Sequence, residues 1–105
     1  MQFQIISCEA LETYLSKNNI LLIDLRDKND YETSHLPRAI WYDWEKLEHD
    51  IGSLLNSLNY MPSWIILYCE RGNTSLLVAR DLARNGYPVI SLYGGYNAWL
   101  KHKMP

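Results

Sequence analysis

The sequence contains few cysteines and no excess of basic residues. Its 105 residues include 2 cysteines, and 10 Lys and Arg oppose 12 Asp and Glu, so the formal net charge is -2 at pH 7. Without a broad basic surface, we expect neither nucleic acid nor an anionic membrane as a partner. Cys8 and Cys69 are too far apart for a CxxC pair and too few for a disulfide-rich secreted scaffold. Reduced thiols are therefore expected, with Cys8 in a structural role beside a helix start.

Long apolar runs are also absent from the sequence. The longest, such as 20–23 and 65–68, are far shorter than the roughly 20 residues that a membrane-spanning helix requires. The first four residues, MQFQ, lack the basic segment and following apolar segment of a targeting signal. We therefore expect a soluble, cytoplasmic protein. The length fits one domain with one modest core, which we predict over residues 1–105.

Short apolar segments alternate with segments of helical periodicity along the chain. The predicted strands are 3–6, 20–25, 39–41, 65–68 and 89–92. The predicted helical segments are 7–15, 31–34, 43–47, 51–58, 76–83 and one around 98–100, with a charged turn at 26–30 and a glycine turn at 94–95. This alternation predicts an α/β fold with a central, mainly parallel sheet and helices on both faces.

The most informative segment, residues 64–80, reads as a buried strand, a loop that begins at Cys69, and a helix. Ligands collect at the carboxyl ends of strands in open α/β sheets. A helix start there offers unpaired N–H groups and partial positive charge, which favour a thiolate. A free cysteine is commonly just a small buried hydrophobe. Gly72 and the polar residues 73–75 favour the reactive interpretation.

The order of several fragments resembles the rhodanese-like domain family over nearly the whole chain. These fragments are 22–27, 31–32, 35–40, 67–75, 79, 82–87 and 92–99. The resemblance implies a small α/β domain that acts as a thiosulfate sulfurtransferase, with no metal or organic cofactor. One residue departs from the family pattern, since Arg38 stands where glycine is usual.

By this resemblance, Cys69 is the catalytic residue. Its thiolate takes the outer sulfur of thiosulfate or a similar donor, forms a persulfide, and passes the sulfur to cyanide, a small thiol or a protein thiol. The predicted substrate-binding residues are the rest of the loop and the helix start, namely Glu70, Arg71, Gly72, Asn73, Thr74 and Ser75. Backbone N–H groups of this run would stabilise both the thiolate and the persulfide.

Other roles in and around the loop stay open. Gly72 permits a backbone conformation that side chains hinder, and the Ser75 hydroxyl either donates to the sulfur or simply caps the helix. Arg71 either attracts an anionic donor or points to solvent. Glu70 opposes both an anionic substrate and the thiolate, so a cationic or protein partner is the alternative.

Supporting roles are expected for residues outside the loop. By the resemblance, Asp24 and Arg26 end the neighbouring strand and brace the loop; the alternative is a surface ion pair, which we favour for Asp27. His35 is interpreted as a hydrogen-bonded structural residue rather than a proton carrier. Most aromatic residues are interpreted as core and rim packing. The tryptophans in this set are Trp41, Trp44, Trp64 and Trp99.

Three rival functions remain in view. A cysteine phosphatase needs an arginine six positions after the cysteine to clamp phosphate, and that position is Ser75. Disulfide exchange needs a resolving cysteine nearby, and none adjoins Cys69 in the sequence. A non-catalytic or sulfur-relay binding module that acts on a partner protein is the principal alternative to an enzyme.

Overall fold

Five parallel strands form the centre of the molecule. The computed structural model describes residues 3–17 and 19–104, so both end residues of the predicted domain, 1–105, lie outside the described residues. The strands are β1 (Phe3–Ile6), β2 (Ile20–Asp24), β3 (Ile40–Trp41), β4 (Trp64–Tyr68) and β5 (Val89–Leu92). They form one sheet in the order β1-β5-β4-β2-β3, and every pairing is parallel. The predicted α/β fold with a parallel sheet is confirmed.

Helices cover both faces of the sheet, as predicted. They are α1 (Cys8–Leu15), α2 (Lys28–Thr33), α3 (Trp44–Asn56), α4 (Asn73–Arg84) and α5 (Gly95–Lys103). Buried side chains of α1 and α5 join one core cluster, and those of α3 and α4 join the other. Among residues 3–17 and 19–104, no helix has the length and apolar character needed to cross a membrane.

The two central strands are apolar on both faces because each face packs against helices. Leu21 pairs with Ile65 and their side chains belong to one core cluster, whereas Leu22 and Ile66 belong to the opposite cluster. The middle position in the sheet belongs to β4, between β5 and β2. Residues that follow β4 are therefore flanked by the carboxyl ends of two other strands.

Two predicted segments differ most from the structure. The charged turn at 26–30 ends earlier than predicted, because α2 already begins at Lys28. The two helical segments at 43–47 and 51–58 form one continuous helix, α3. Leu47 and Ile51 stand four residues apart on its buried stripe, so their packing favours continuation through 48–50. Gly52 lies in this helix with an exposed backbone and does not break it.

Helix α4 buries one stripe of its surface against the sheet. Leu77 is exposed, and Val78 is buried instead. The buried stripe consists of positions spaced by three and four residues, which are Ser75, Val78, Ala79, Leu82 and Ala83. Leu77 falls outside that spacing and therefore faces away from the sheet.

The unusual Arg38 occupies the turn in a conformation that favours glycine. Its φ is 72°, in the left-handed region that costs an L residue about 1–2 kcal/mol. The guanidinium donates hydrogen bonds to the carbonyl of Leu15, at 2.9 Å, and to that of Lys17. These bonds tie the turn to the end of α1 and offset part of the backbone cost.

A polar contact joins α1 to α5 at the surface. Glu12 accepts a hydrogen bond from Lys103, and its other oxygen lies 3.1 Å from Nε2 of His102. The Lys103 and His102 hydrogen bonds hold the pKa of Glu12 below its ordinary value of 4.5.

Candidate active site

Cys69 directly follows β4 and opens the loop that leads to α4. The loop turns into the helix at Gly72, which is the N-cap of α4 and has a φ of 97°. A Cβ at this position would lie 3.1 Å from the backbone nitrogen of Gly94, so both the conformation and the space favour glycine. The cysteine is buried, with 6% of its surface exposed. Its thiol therefore sits on the floor of the loop rather than on an outer surface.

Two backbone N–H groups point at the sulfur of Cys69. The Gly72 N–H donates to Sγ at 3.2 Å, and the Ser75 N–H donates at 3.3 Å. They belong to the N-cap and to the third residue of α4, where N–H groups have no partner within the helix. The partial positive charge of the helix start adds to their effect on a negative sulfur. Within the predicted run 70–75, these two N–H groups are the ones that contact Sγ.

The Ser75 hydroxyl contacts the sulfur of Cys69 and does not cap the helix. It lies 3.6 Å from Sγ as an acceptor for the thiol, and it donates to the carbonyl of Gly72 at 3.3 Å. It also shares a hydrogen bond with the Ser91 hydroxyl of β5 at 3.0 Å. The helix cap is Gly72, with no side-chain cap bond. The interpretation of Ser75 as a plain cap was therefore wrong, since it stands in the third position of the helix.

The start of α5 holds the first two residues of the loop in place. The Tyr96 N–H donates to the Cys69 carbonyl at 2.8 Å, and the Asn97 N–H donates to the Glu70 carbonyl at 3.0 Å. Gly95 makes this approach possible, because a Cβ there would collide with the Cys69 carbonyl oxygen and lie 2.8 Å from the Glu70 carbonyl. The sequence predicts only a turn at residues 94–95. Because β5 lies beside β4 in the sheet, that turn comes next to the loop that begins at Cys69.

Asp24 and Arg26 form a buried ion pair beside the loop. Nη2 of Arg26 lies 2.8 Å from Oδ2 of Asp24, and 4% and 0% of the two side chains are exposed. The Tyr68 hydroxyl donates to the same Asp24 oxygen at 2.6 Å and accepts the Leu36 N–H at 3.1 Å. The alternative of a surface ion pair was therefore wrong for Asp24 and Arg26. Sequence reasoning missed Tyr68, whose place on an apolar strand gave no signal of a polar role.

Contacts besides the Asp24 ion pair stabilise the positive charge of Arg26. Its Nη2 donates to the Ser34 carbonyl at 2.5 Å, and its guanidinium lies 3.9 Å from the centre of the Tyr96 ring. Burial opposes the charged form, but the hydrogen bond and attraction of Asp24 outweigh it and raise the pKa of Arg26. Burial and the hydrogen bond to Asp24 raise the pKa of Tyr68 well above its ordinary value, so its hydroxyl stays a donor.

A cavity of about 380 Å³ opens above the cysteine. Its lining residues come from three segments and are Leu25, Arg26, Asp27, Asp30, Trp44, Cys69, Glu70, Arg71, Asn73 and Thr74. Of the residues predicted for the site, Cys69, Glu70, Arg71, Asn73, Thr74 and Arg26 line this cavity. The other three predicted residues, Asp24, Gly72 and Ser75, are not among its lining residues. Gly72 instead lines a second cavity, of about 340 Å³, which shares Arg71 and Asn73 with the first.

Several lining residues did not emerge from the sequence. Trp44 was interpreted as packing, yet it is 48% exposed and stands at the cavity. Asp27 was expected in a surface ion pair, and none of the ion pairs among the described residues includes it. Asp30 lies in the first turn of α2 and also lines the cavity. His35 lies outside the cavity, where its Nδ1 is 2.9 Å from the Tyr31 carbonyl, in keeping with a structural role.

One protein family matches nearly all of this chain. The model of the rhodanese-like domain matches residues 7–102. The chain belongs to the rhodanese-like domain family. It is also 31% identical over 103 residues to the thiosulfate sulfurtransferase GlpE of Coxiella burnetii, across 97% of this chain and 91% of that protein. The match supports a sulfurtransferase family for this rhodanese-like chain.

Solved structures of the family share the fold. A rhodanese-related protein from Thermoplasma volcanium superposes with a TM-score of 0.79 at 17% identity, over 97% of this chain and 95% of that one. A rhodanese-like domain protein from Staphylococcus aureus gives a TM-score of 0.71 at 24% identity, over 94% and 91% of the two chains. At these identities the likeness establishes the rhodanese-like fold alone.

Proposed function

We propose that this protein is a sulfurtransferase that carries sulfane sulfur as a persulfide on Cys69. The donor is thiosulfate or a similar compound, and the acceptor is cyanide or a thiol. The observation that carries the proposal is the pair of N–H groups that donate to Sγ beneath an open cavity. We propose that the predicted single domain, 1–105, carries out this sulfur transfer.

The first half of the proposed reaction loads the cysteine. The Cys69 thiolate attacks the outer sulfur of thiosulfate, and a new S–S bond forms. The S–S bond of thiosulfate breaks, and its electron pair leaves with sulfite. The Gly72 and Ser75 N–H groups stabilise the thiolate before attack without having to reorient, which is the basis of preorganised electrostatic catalysis.

The second half unloads the cysteine. Cyanide or an acceptor thiolate attacks the outer sulfur of the persulfide, a bond forms to that sulfur, and the electron pair of the persulfide S–S bond returns to Sγ. The same N–H groups then stabilise the regenerated thiolate. The buried floor holds the attacked atoms, while the open side of the cavity admits donor and acceptor in turn.

Two rivals receive less support from the geometry. A phosphatase loop needs a guanidinium around the anion, but Ser75 is fully buried and contributes its N–H to the sulfur. Disulfide exchange needs a second thiol nearby. Cys8 and Cys69 belong to core clusters on opposite faces of the sheet. Sulfur transfer uses one thiol and no phosphate clamp, in keeping with this arrangement.

Thiocyanate formation from thiosulfate and cyanide tests the proposal. Cys69→Ala is expected to abolish it, because the sulfur then has no nucleophile to carry it. Cys8→Ala is the matched control, since it removes the other buried thiol and leaves the loop untouched; its activity is expected to stay close to that of the wild type. Activity that survives in Cys69→Ala would contradict the proposal, and a folded wild-type protein with no activity would favour the binding module.

A further inference from the structure

The cavity above Cys69 carries an acidic rim, which we define as Asp27, Asp30 and Glu70. All three side chains are exposed and line the cavity, while Cys69 lies on the buried floor. None of the ion pairs among the described residues includes a rim carboxylate. Their negative charge therefore acts on whatever enters the cavity.

The basic side chains near the rim do not balance these three carboxylates. Arg26 lines the cavity and attracts Glu70, but its guanidinium is paired with the buried Asp24 and stacked on Tyr96. Lys28 adjoins the rim in sequence, yet its ammonium lies over the Trp41 ring at 5.6 Å. Arg71 is the remaining cation of the lining. The rim is thus acidic, whereas the floor receives the positive end of α4.

An exposed aromatic ring stands beside the rim. Trp44 is 48% exposed and lines the cavity together with the three carboxylates. Such a ring attracts organic cations through its π face and packs against alkyl groups. A small inorganic dianion gains neither contact, and its charge is opposed by the rim.

We infer that the preferred sulfur acceptor of this cavity is a cationic thiol, with an ammonium or guanidinium group close to its sulfur. Its thiolate meets the positive floor while its cation meets the acidic rim and Trp44. The inference rests on the proposed persulfide of Cys69 and names the substrate class for that site. The acceptor thiolate attacks the outer sulfur, takes it as a new persulfide, and returns the electron pair of the broken S–S bond to Sγ.

The test follows unloading of the persulfide by acceptors that differ in charge. The protein is loaded with thiosulfate or polysulfide, freed of donor, and mixed with cysteamine, 2-mercaptoethanol or 3-mercaptopropionate. Intact mass spectrometry follows the loss of the extra sulfur, and rates are compared per thiolate. A second set of acceptors consists of short peptides with one cysteine flanked by lysines or by glutamates. The two sets together show whether the cationic acceptor is a small aminothiol or a basic protein segment.

The acceptor thiols differ in intrinsic reactivity, so the ratio of their rates is compared between variants and the wild-type protein. Glu70→Gln is expected to lower the ratio of cationic to anionic rates by about threefold to tenfold, as loss of one charge several ångströms away in a partly aqueous site implies. Glu32→Gln is the matched control, because it removes an exposed carboxylate of α2 that does not line the cavity. Its ratio is expected to equal that of the wild type. High salt is expected to reduce the wild-type ratio.

The outcomes separate this inference from the proposed function. A preference for cationic acceptors in either set, reduced by Glu70→Gln and kept in Glu32→Gln, supports the inference. Loading of Cys69 followed by equal rates, or by a preference that both variants change alike, overturns the inference and leaves the proposed function standing. Failure of both donors to load Cys69 overturns the proposed function, and the inference with it.

Discussion

Gly95 offers a sharp test of how the active-site loop is held. The residue begins α5 with a φ of 61°, and a Cβ there would meet the carbonyls of Cys69 and Glu70. In Gly95→Ala, either α5 or the loop has to move. The movement would disturb the hydrogen bonds from the Tyr96 and Asn97 N–H groups to those two carbonyls.

The expected loss of stability has two sources. A left-handed conformation costs an L residue about 1–2 kcal/mol, and forcing an extra carbon into a packed space costs about 1–3 kcal/mol. Together they predict a fall of about 2–5 kcal/mol in the free energy of unfolding, a large part of the roughly 5–15 kcal/mol of an ordinary domain. A displaced loop should also slow persulfide formation by about tenfold to a hundredfold, since small errors in position are costly in catalysis.

Urea denaturation of three glycine variants separates the two sources. Gly86 has a φ of 93°, but a Cβ there would meet nothing within 4 Å, so Gly86→Ala isolates the conformational cost. Gly52 lies in the middle of α3 on its exposed face, and a Cβ there would meet nothing within 4 Å. Gly52→Ala is expected to stabilise the protein by about 0.5–1 kcal/mol, because alanine is the better helix former.

The order of the variants decides whether the close approach at Gly95 matters. We expect Gly95→Ala to be less stable than Gly86→Ala by more than about 1 kcal/mol, the lower bound of the overpacking cost. Equal losses in these two variants would refute the steric argument. Normal persulfide formation in a destabilised Gly95→Ala would refute the link between α5 and the loop.

Three further predictions concern a buried hydroxyl, the site and the surface. Tyr68→Phe is expected to lower the free energy of unfolding by about 1–3 kcal/mol in urea titrations, because Asp24 loses a donor and a buried N–H loses its acceptor. Ser75→Ala keeps its N–H on Sγ, so persulfide formation measured by mass should fall less than about tenfold, whereas losing a key anion donor costs about 10²–10³-fold. The lowered pKa of Glu12 contributes stability that is present above its ordinary value of 4.5 and is lost as the pH falls through the lowered pKa. Glu12→Gln should therefore show a shallower loss of stability with acid, and an unchanged slope would contradict that role.

Sequence periodicity predicted the sheet because its strands are short apolar runs with turns between them. It failed where local signals are weaker than packing. The helix α3 continues through 48–50 because Leu47 and Ile51 both reach the core. Leu77 lies in the predicted helical segment 76–83, but only the packing of α4 shows that it faces away from the sheet.

The loop around Cys69 was predictable because the strand, the cysteine and the helix start are consecutive in the chain. The contacts that surround the loop were not, since they join residues far apart in sequence. Tyr96 and Arg26 meet at 3.9 Å across seventy positions, and Trp44 reaches the cavity from α3. The Tyr68 hydroxyl donates to Asp24, but Tyr68 lies on an apolar strand, and the hydrophobic pattern of that strand does not indicate a polar role.

Mass spectrometry after thiosulfate treatment shows whether Cys69 takes up sulfur. We propose that Cys69, with two N–H groups on its sulfur, carries sulfur as a persulfide. We predict a gain of one sulfur atom on the peptide that contains Cys69, none on the peptide that contains Cys8, and loss of the extra sulfur on addition of cyanide. No gain on Cys69, or an equal gain in Cys69→Ala, would contradict sulfur transfer through this residue.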